Sequence, residues 1–263
     1  MEFGVCTNFA ATAEDPVGMG LIPLIAEAGF DYAELPMCEV ASLSEAHFEK
    51  LQQILNTSGL SVPAACNLFP DNMLLRGEAA DPKAIAAYLE HALDRASRLG
   101  IQKIIFASVS AWNTSGNPRE ARTEIVSLVR SVMVPLLQEH HIRILIEGIR
   151  KQVCNVVNTL PEAARIALDV NHPSCGYMAD LYHMLSNEEP EVHLARWVRE
   201  VGHVHIAEQG RKLPAETVSP ELTRLLLRLA RGAYDGQISF EVCAPLAAAQ
   251  LQAAKENIRQ LLA

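Results

Sequence analysis

Aromatic residues are scarce, with seven Phe, five Tyr and two Trp among 263 residues. Proteins that thread single-stranded nucleic acid stack bases on a series of rings, and this composition excludes that class. Positive charge is also short. Lys and Arg number 22 against 31 Asp and Glu, a formal net charge of −9. That is the wrong sign for a surface that neutralises duplex phosphates, although a local basic pocket stays open. No run approaches the ~20 apolar residues of a bilayer span. The opening Met-Glu-Phe-Gly-Val-Cys has no basic stretch leading into a long apolar one, so no secretory signal is expected. The six cysteines, at 6, 38, 66, 154, 175 and 243, form no Cys-x-x-Cys pair. In a chain this long they read as reduced thiols of the cytosol rather than a disulfide frame. The expectation is a soluble cytoplasmic protein with neither nucleic acid nor membrane among its partners. A Gly-rich phosphate loop after the first apolar run is missing too, which argues against a doubly wound nucleotide-binding sheet.

What is present is regular alternation. Hydrophobic residues make up 49% of the chain, enough for a sizeable core. Short apolar runs at 3–6, 32–35, 62–66, 104–107, 142–146, 175–179, 204–206 and 238–242 have the character of strands buried on both faces. Helical patterns fill the gaps. Residues 44–56 place Phe48, Leu51 and Leu55 on one face and stop at Gly59; 82–99 opens on Asp81-Pro82 and ends at Gly100. Residues 120–138 are periodic, with a kink or break expected at Pro135. Ser219-Pro220-Glu221 opens a helix to Gly232, and a last helix starts near Leu246. Eight strand–helix units without a composition break predict an α/β fold, a (β/α)8 TIM barrel forming one domain over residues 1–263. Residues 160–170 are expected to be helical, because Thr159-Leu-Pro-Glu162 has capping-box spacing. Asp169 and His172 then fall at the far end from any site.

In such a barrel the chemistry sits at the C-terminal strand ends. Those ends carry Glu34, Cys66-Asn67, Ser108, Glu147, Asp180, His205 and Glu241. Three carboxylates and an imidazole from the last four strands, Glu147, Asp180, His205 and Glu241, predict a divalent cation. Their oxygen-rich character suits Mg²⁺, Mn²⁺ or Co²⁺ better than a thiolate zinc site. His203 and His205 alternate on one strand; His205, nearer the mouth, is the expected ligand and His203 an inward residue. His183, one turn past Asp180, is either a substrate contact or a histidine held by a backbone carbonyl. Arg211 suits a planar grip on substrate oxygens. Glu208 is expected to brace His or Arg. Glu34 and Asn67 are further substrate-contact candidates, and Trp112 either walls the substrate site or caps the barrel.

The segments Asp180-Leu-Tyr-His183, Gly202-His-Val-His205 with Arg211, and Tyr234-Asp-Gly-Gln-Ile-Ser-Phe-Glu241 resemble the site segments of the xylose isomerase-like sugar isomerases and epimerases, above all the D-tagatose/D-psicose 3-epimerases. Ala28-Gly-Phe-Asp-Tyr-Ala-Glu34, Ser58-Gly-Leu-Ser-Val-Pro63, and Glu147 followed by Asn155-Val-Val-Asn-Thr159 extend the likeness along nearly the whole chain. The resemblance implies a metal on Glu147, Asp180, His205 and Glu241, with His183 and Arg211 on the substrate. Mn²⁺ is the expected ion, with Mg²⁺, Co²⁺ or Zn²⁺ as alternatives. It also implies a homo-oligomer, a dimer or tetramer, and a small sugar or polyhydroxy ketone as substrate. The implied reaction is C3 epimerisation of a ketose, with Glu147 and Glu241 serving the two faces of a cis-enediolate. Two departures stand out. Gly148 replaces a frequent Pro, and Val153 replaces a glutamate that hydrogen-bonds substrate. Val153 keeps aldose–ketose or hydroxypyruvate-type isomerisation as an alternative, beside keto-inositol dehydration and a non-catalytic sugar-binding barrel.

Overall fold

Among the described residues, the apolar runs form nine short parallel strands. They are β1 (Glu2–Cys6), β2 (Tyr32–Pro36), β3 (Ser61–Cys66), β4 (Lys103–Phe106), β5 (Arg143–Ile146), β6 (Cys175–Tyr177), β7 (Ala179–Asp180), β8 (Val204–Ile206) and β9 (Gln237–Phe240). The computed structural model describes residues 1–108, 112–215 and 217–262. The strands follow one another in the order β6-β5-β4-β3-β2-β1-β9-β8-β7. β6 and β7 are two halves of one stave, parted at Met178. The Met178 N–H donates to Ile146 O at 3.0 Å and the Ala179 N–H to His203 O at 3.1 Å. The stave thus leans first on β5 and then on β8, which brings the eight staves of the predicted TIM barrel round.

Local chemistry explains the helices. Ser44 caps Glu45–Ser58 by accepting from the His47 N–H, and Gly59 ends it at φ 68. Asp81 accepts from the Lys83 and Ala84 N–H groups at the head of Pro82–Leu99. Thr159 and Glu162 form the expected reciprocal box over Leu160–Val170, and Asn171 closes it at φ 52. Asp169, paired with Arg165, lies on the outer surface. Around Pro135 the helix does not end. Pro118–Leu128 passes through a π turn, Val129–Met133, into Val134–Glu139. The wider turn accommodates the proline ring and its missing N–H, so of the expected kink or break the chain shows no break but a bulge. The last helix, Ala248–Leu262, starts slightly later than expected.

Alternation along the strands separates two environments. The larger apolar cluster lies between strands and helices and includes Val62, Ala65, Ile104, Phe106, Ile144 and Ile146. The smaller one, Ala64, Cys66, Ile105, Leu145 and Met178, fills one side of the interior from β3 round to the sixth stave. The other side, from β2, β8 and β9, is polar: Tyr32, Glu34, His203, His205 and Ser239 are all buried there. Gly4 on β1 makes room for this side. A Cβ at that position would lie 2.1 Å from the Tyr32 ring. No helix among the described residues is long and apolar enough to cross a membrane, and all six cysteines are free.

Candidate active site

Glu147, Asp180, His205 and Glu241 come together at the C-terminal mouth, each with relative exposure of 7% or less. The Nδ1 of His205 lies 3.8 Å from Glu147 Oε1 and 3.5 Å from Glu241 Oε2. Glu147, Asp180 and His183 offer ligand atoms within 4.8 Å of one another. Asp180 caps the short helix Leu181–Ser186, its Oδ1 accepting the His183 N–H at 3.0 Å, which leaves Oδ2 for the site. The Asn8 amide donates to Glu241 Oε1 at 2.9 Å and holds that carboxylate in place.

A second layer fixes the imidazole. His205 Nε2 lies 2.9 Å from Glu34 Oε1, while Glu34 Oε2 meets His203 Nε2 at 2.9 Å and the Ser239 hydroxyl at 2.5 Å. Tyr32 Oη is 2.9 Å from Ser239 Oγ. Burial alone would raise the pKa of Glu34, but the two imidazoles hold it well below the usual carboxylate range. An ionised Glu34 accepts the Nε2–H of His205 and turns the other ring nitrogen toward Glu147 and Glu241. That Nδ1 is buried without a hydrogen-bond partner, while the Glu241 Oε2 is paired with Arg211. An unpartnered imidazole nitrogen facing two carboxylates, with Asp180 grouped beside Glu147, suits a divalent cation. The Cys6 Sγ is 3.9 Å from His205 Nε2, but burial raises its pKa well above the ordinary thiol value. It therefore stays a neutral thiol rather than a competing thiolate.

The two glutamates differ electrostatically. Burial, reinforced by Asp180, raises the Glu147 pKa well above its ordinary value. Glu241 is equally enclosed, yet Arg211 and His205 outweigh burial and lower its pKa. One is disposed to be a carboxylic acid, the other a carboxylate.

Arg211 lies over the site from a turn in which its own φ is 57. Its guanidinium pairs with Asp180 Oδ2 at 3.2 Å, contacts Glu241 Oε2, and stands 4.0 Å from the centroid of the Tyr182 ring. His183 Nε2 is 3.1 Å from Arg211 Nη2, and His183 Nδ1 accepts the Arg150 N–H at 3.3 Å. Phe9, 41% exposed, overlies the Arg211 guanidinium at 5.3 Å.

Several expected roles change. Glu34 has no exposed surface and both its oxygens are engaged. It braces His205 from beneath instead of meeting substrate. Trp112 is fully buried, edge-on to Phe106 at 5.1 Å; it caps the barrel and forms no sugar wall. Its loop neighbour Ala111 lies outside the described residues. Asn67 does stand at the rim, half-buried with φ 51. Glu208 braces neither His nor Arg: its Oε1 accepts the Ser219 N–H at 2.7 Å. Gly148 is required by close approach, since a Cβ there would lie 2.9 Å from the Thr159 carbonyl. Val153 is half-buried against the apolar core. Ser239, Tyr32, Asn8 and Arg150 escaped the sequence reading. The first two were accessible to it, because Tyr32/Glu34 and Ser239/Glu241 are i, i+2 pairs sharing a strand face.

A family model described as xylose isomerase-like TIM barrel matches residues 22–263. A ketose 3-epimerase from Arthrobacter globiformis is 27% identical over 220 residues, 82% of this chain and 74% of the relative. Among solved structures, D-psicose 3-epimerase with D-tagatose, from Clostridium cellulolyticum H10, has a TM-score of 0.83 at 18% identity, covering 100% of this chain and 99% of that one. The apo form of 3-keto-D-glucoside 4-epimerase from E. coli has a TM-score of 0.78 at 18% identity, covering 99% of each chain. IOLI protein with a bound zinc atom has a TM-score of 0.78 at 16% identity, covering 100% of this chain and 98% of the other. At these identities the structural likeness is one of fold.

Proposed function

Because the chain belongs to the xylose isomerase-like TIM barrel family, we propose that it is a divalent-metal-dependent sugar epimerase inverting a carbon next to a ketone, with C3 of a ketose as the reacting centre. The observation that carries this reading is the pair Glu147 and Glu241, approaching His205 Nδ1 at 3.8 and 3.5 Å from different strands. The named activities of the ketose 3-epimerase relative and of the epimerase fold neighbours agree with it. Glu147, Asp180, His205 and Glu241 would hold the metal, and the ion supplies Lewis acidity toward the substrate carbonyl and the neighbouring hydroxyl.

The chain's own groups do the proton work. The Glu241 carboxylate takes the proton α to the carbonyl, and the C–H electron pair moves into the enediolate of the substrate. Glu147, whose pKa burial and Asp180 raise, returns a proton to the same carbon from the opposite face. The reverse reaction exchanges the roles. Arg211 and His183 orient the substrate oxygens, and Glu34 keeps His205 in one tautomer. A second reading, isomerisation between adjacent carbons, is favoured by one observation: Val153 offers no side-chain acceptor.

The test is solvent deuterium incorporation at the α-carbon, followed by NMR with Mg²⁺, with and without chelator. We expect metal-dependent exchange and an inverted product. Glu147→Gln and Glu241→Gln should each lower turnover by roughly 10²–10⁴-fold, the usual reach of a general acid or base. Exchange abolished by Glu147→Gln and untouched by Glu241→Gln would reject the two-glutamate scheme. An aldose product would select the second reading.

A further inference from the structure

Arg150 lies three residues past Glu147, on the loop leaving β5. Its Nη1 donates to the Tyr182 hydroxyl at 3.1 Å, and its guanidinium carbon is 5.8 Å from that ring's centroid. Arg211 takes the same ring at 4.0 Å but is neutralised by Asp180 and Glu241. No carboxylate of a described residue pairs with Arg150. The loop itself gives none. From Gly148 to Asn158 it contains Arg150 and Lys151 and no acid.

The loop is also held in place. The Asn158 amide donates to Ile149 O at 2.8 Å and Cys154 O at 2.7 Å, and the Lys151 N–H donates to Asn187 Oδ1 at 2.8 Å. The Arg150 N–H is fixed on His183 Nδ1. Arg150 is therefore half-buried, its backbone N–H holding a substrate-orienting histidine while its guanidinium stands at the hydroxyl of the adjacent Tyr182, with no carboxylate of a described residue paired to it. A guanidinium in this position suits a planar oxyanion far better than a neutral hydroxyl.

We infer that the substrate carries an anionic group, a carboxylate or a phosphate ester, which docks on Arg150 beside His183. The substrate is then an acidic keto sugar rather than a neutral ketose. The inference deepens the epimerase reading and rests on it for the reaction, although binding of the anion is measurable by itself.

The metal-loaded protein is given three compounds: a neutral ketohexose, its 6-phosphate, and the corresponding ketohexonate. Deuterium exchange reads turnover and calorimetry reads binding, each in wild type and Arg150→Gln. One anion should exceed the neutral sugar in kcat/KM by roughly 10–100-fold, the worth of a charge-assisted hydrogen bond. The phosphate and carboxylate arms identify which. Arg150→Gln should raise Kd and KM for that anion by roughly the same factor with a smaller effect on kcat, and Arg150→Lys should recover part of the loss. An anion that binds through Arg150 without exchanging protons upholds the inference and defeats the epimerase reading. Exchange of the neutral sugar at least as fast as both anions, or unchanged anion affinity in Arg150→Gln, overturns the inference and leaves the reaction intact. Silence in all three arms defeats both.

Discussion

Replacing Glu34 with Gln tests the site through a residue that has no exposed surface. The carboxylate serves three groups: His205 at 2.9 Å, His203 at 2.9 Å and Ser239 at 2.5 Å. Gln keeps the shape but only one acceptor oxygen. If its NH₂ faces His205, two donors meet, and the imidazole must move its proton to Nδ1. That is the nitrogen facing Glu147 and Glu241. If the amide turns over, His205 keeps its tautomer but exchanges an ionised acceptor for a neutral one, and the NH₂ opposes His203 and Ser239. Partners of this kind are worth about 10–100-fold in metal affinity, roughly 1.4–2.8 kcal/mol. The fold also loses charge-assisted bonds of about 1.5–3 kcal/mol each, partly offset by no longer burying a charge. A net loss of about 2 kcal/mol lowers Tm by roughly 4–8 °C in a domain of this size. Calorimetric titration with Mn²⁺ and thermal unfolding without metal measure the two effects separately. Metal affinity within about twofold of wild type, in a variant that folds, would refute the bracing role; Glu34→Ala is less informative because it strands three donors at once.

Two further outcomes follow from the same interior. Burial lowers the pKa of His203 to about 4, against the opposing pull of Glu34. The unfolded chain binds that proton near pH 6.5, so the contribution is complete above that pH and is lost as pH falls toward 4. It amounts to about 3 kcal/mol. Denaturant titrations from pH 7 to 4 should show this loss in wild type and a flatter profile in His203→Gln; parallel profiles would contradict it. Gly4→Ala places a methyl 2.1 Å from the Tyr32 ring, and overpacking of this kind costs about 1–3 kcal/mol. Metal affinity should fall with it, since Tyr32 reaches Glu34 through Ser239. An unchanged Tm would show that the strand shifts without strain.

Much of the architecture was legible because local signals agreed with one another. The cap at Asp81, the box at Thr159–Glu162 and the stop at Gly59 each determined an element's end before any packing was known. The four-residue constellation was legible because parallel strands in a barrel must point their C-terminal ends at one mouth. Three features were not. The π turn before Pro135 depends on how a long helix absorbs one missing N–H. The burial of Trp112 depends on its edge-on packing against Phe106. The bracing by Glu34 links β2 to β8 across 169 and 171 residues of sequence, and no local pattern encodes such a distance.

The division of the barrel's interior carries a consequence for altering this protein. On the side of Ala64, Ile105, Leu145 and Met178, the requirement is volume, and volume can be redistributed among neighbours. On the side of Tyr32, Glu34, His203 and Ser239, the side chains are joined in a chain of hydrogen bonds, so a swap at one link obliges changes at the next. Libraries meant to reshape this enzyme will survive when diversity is spent on the oily wall, and will lose the fixed orientation of His205 when it is spent opposite.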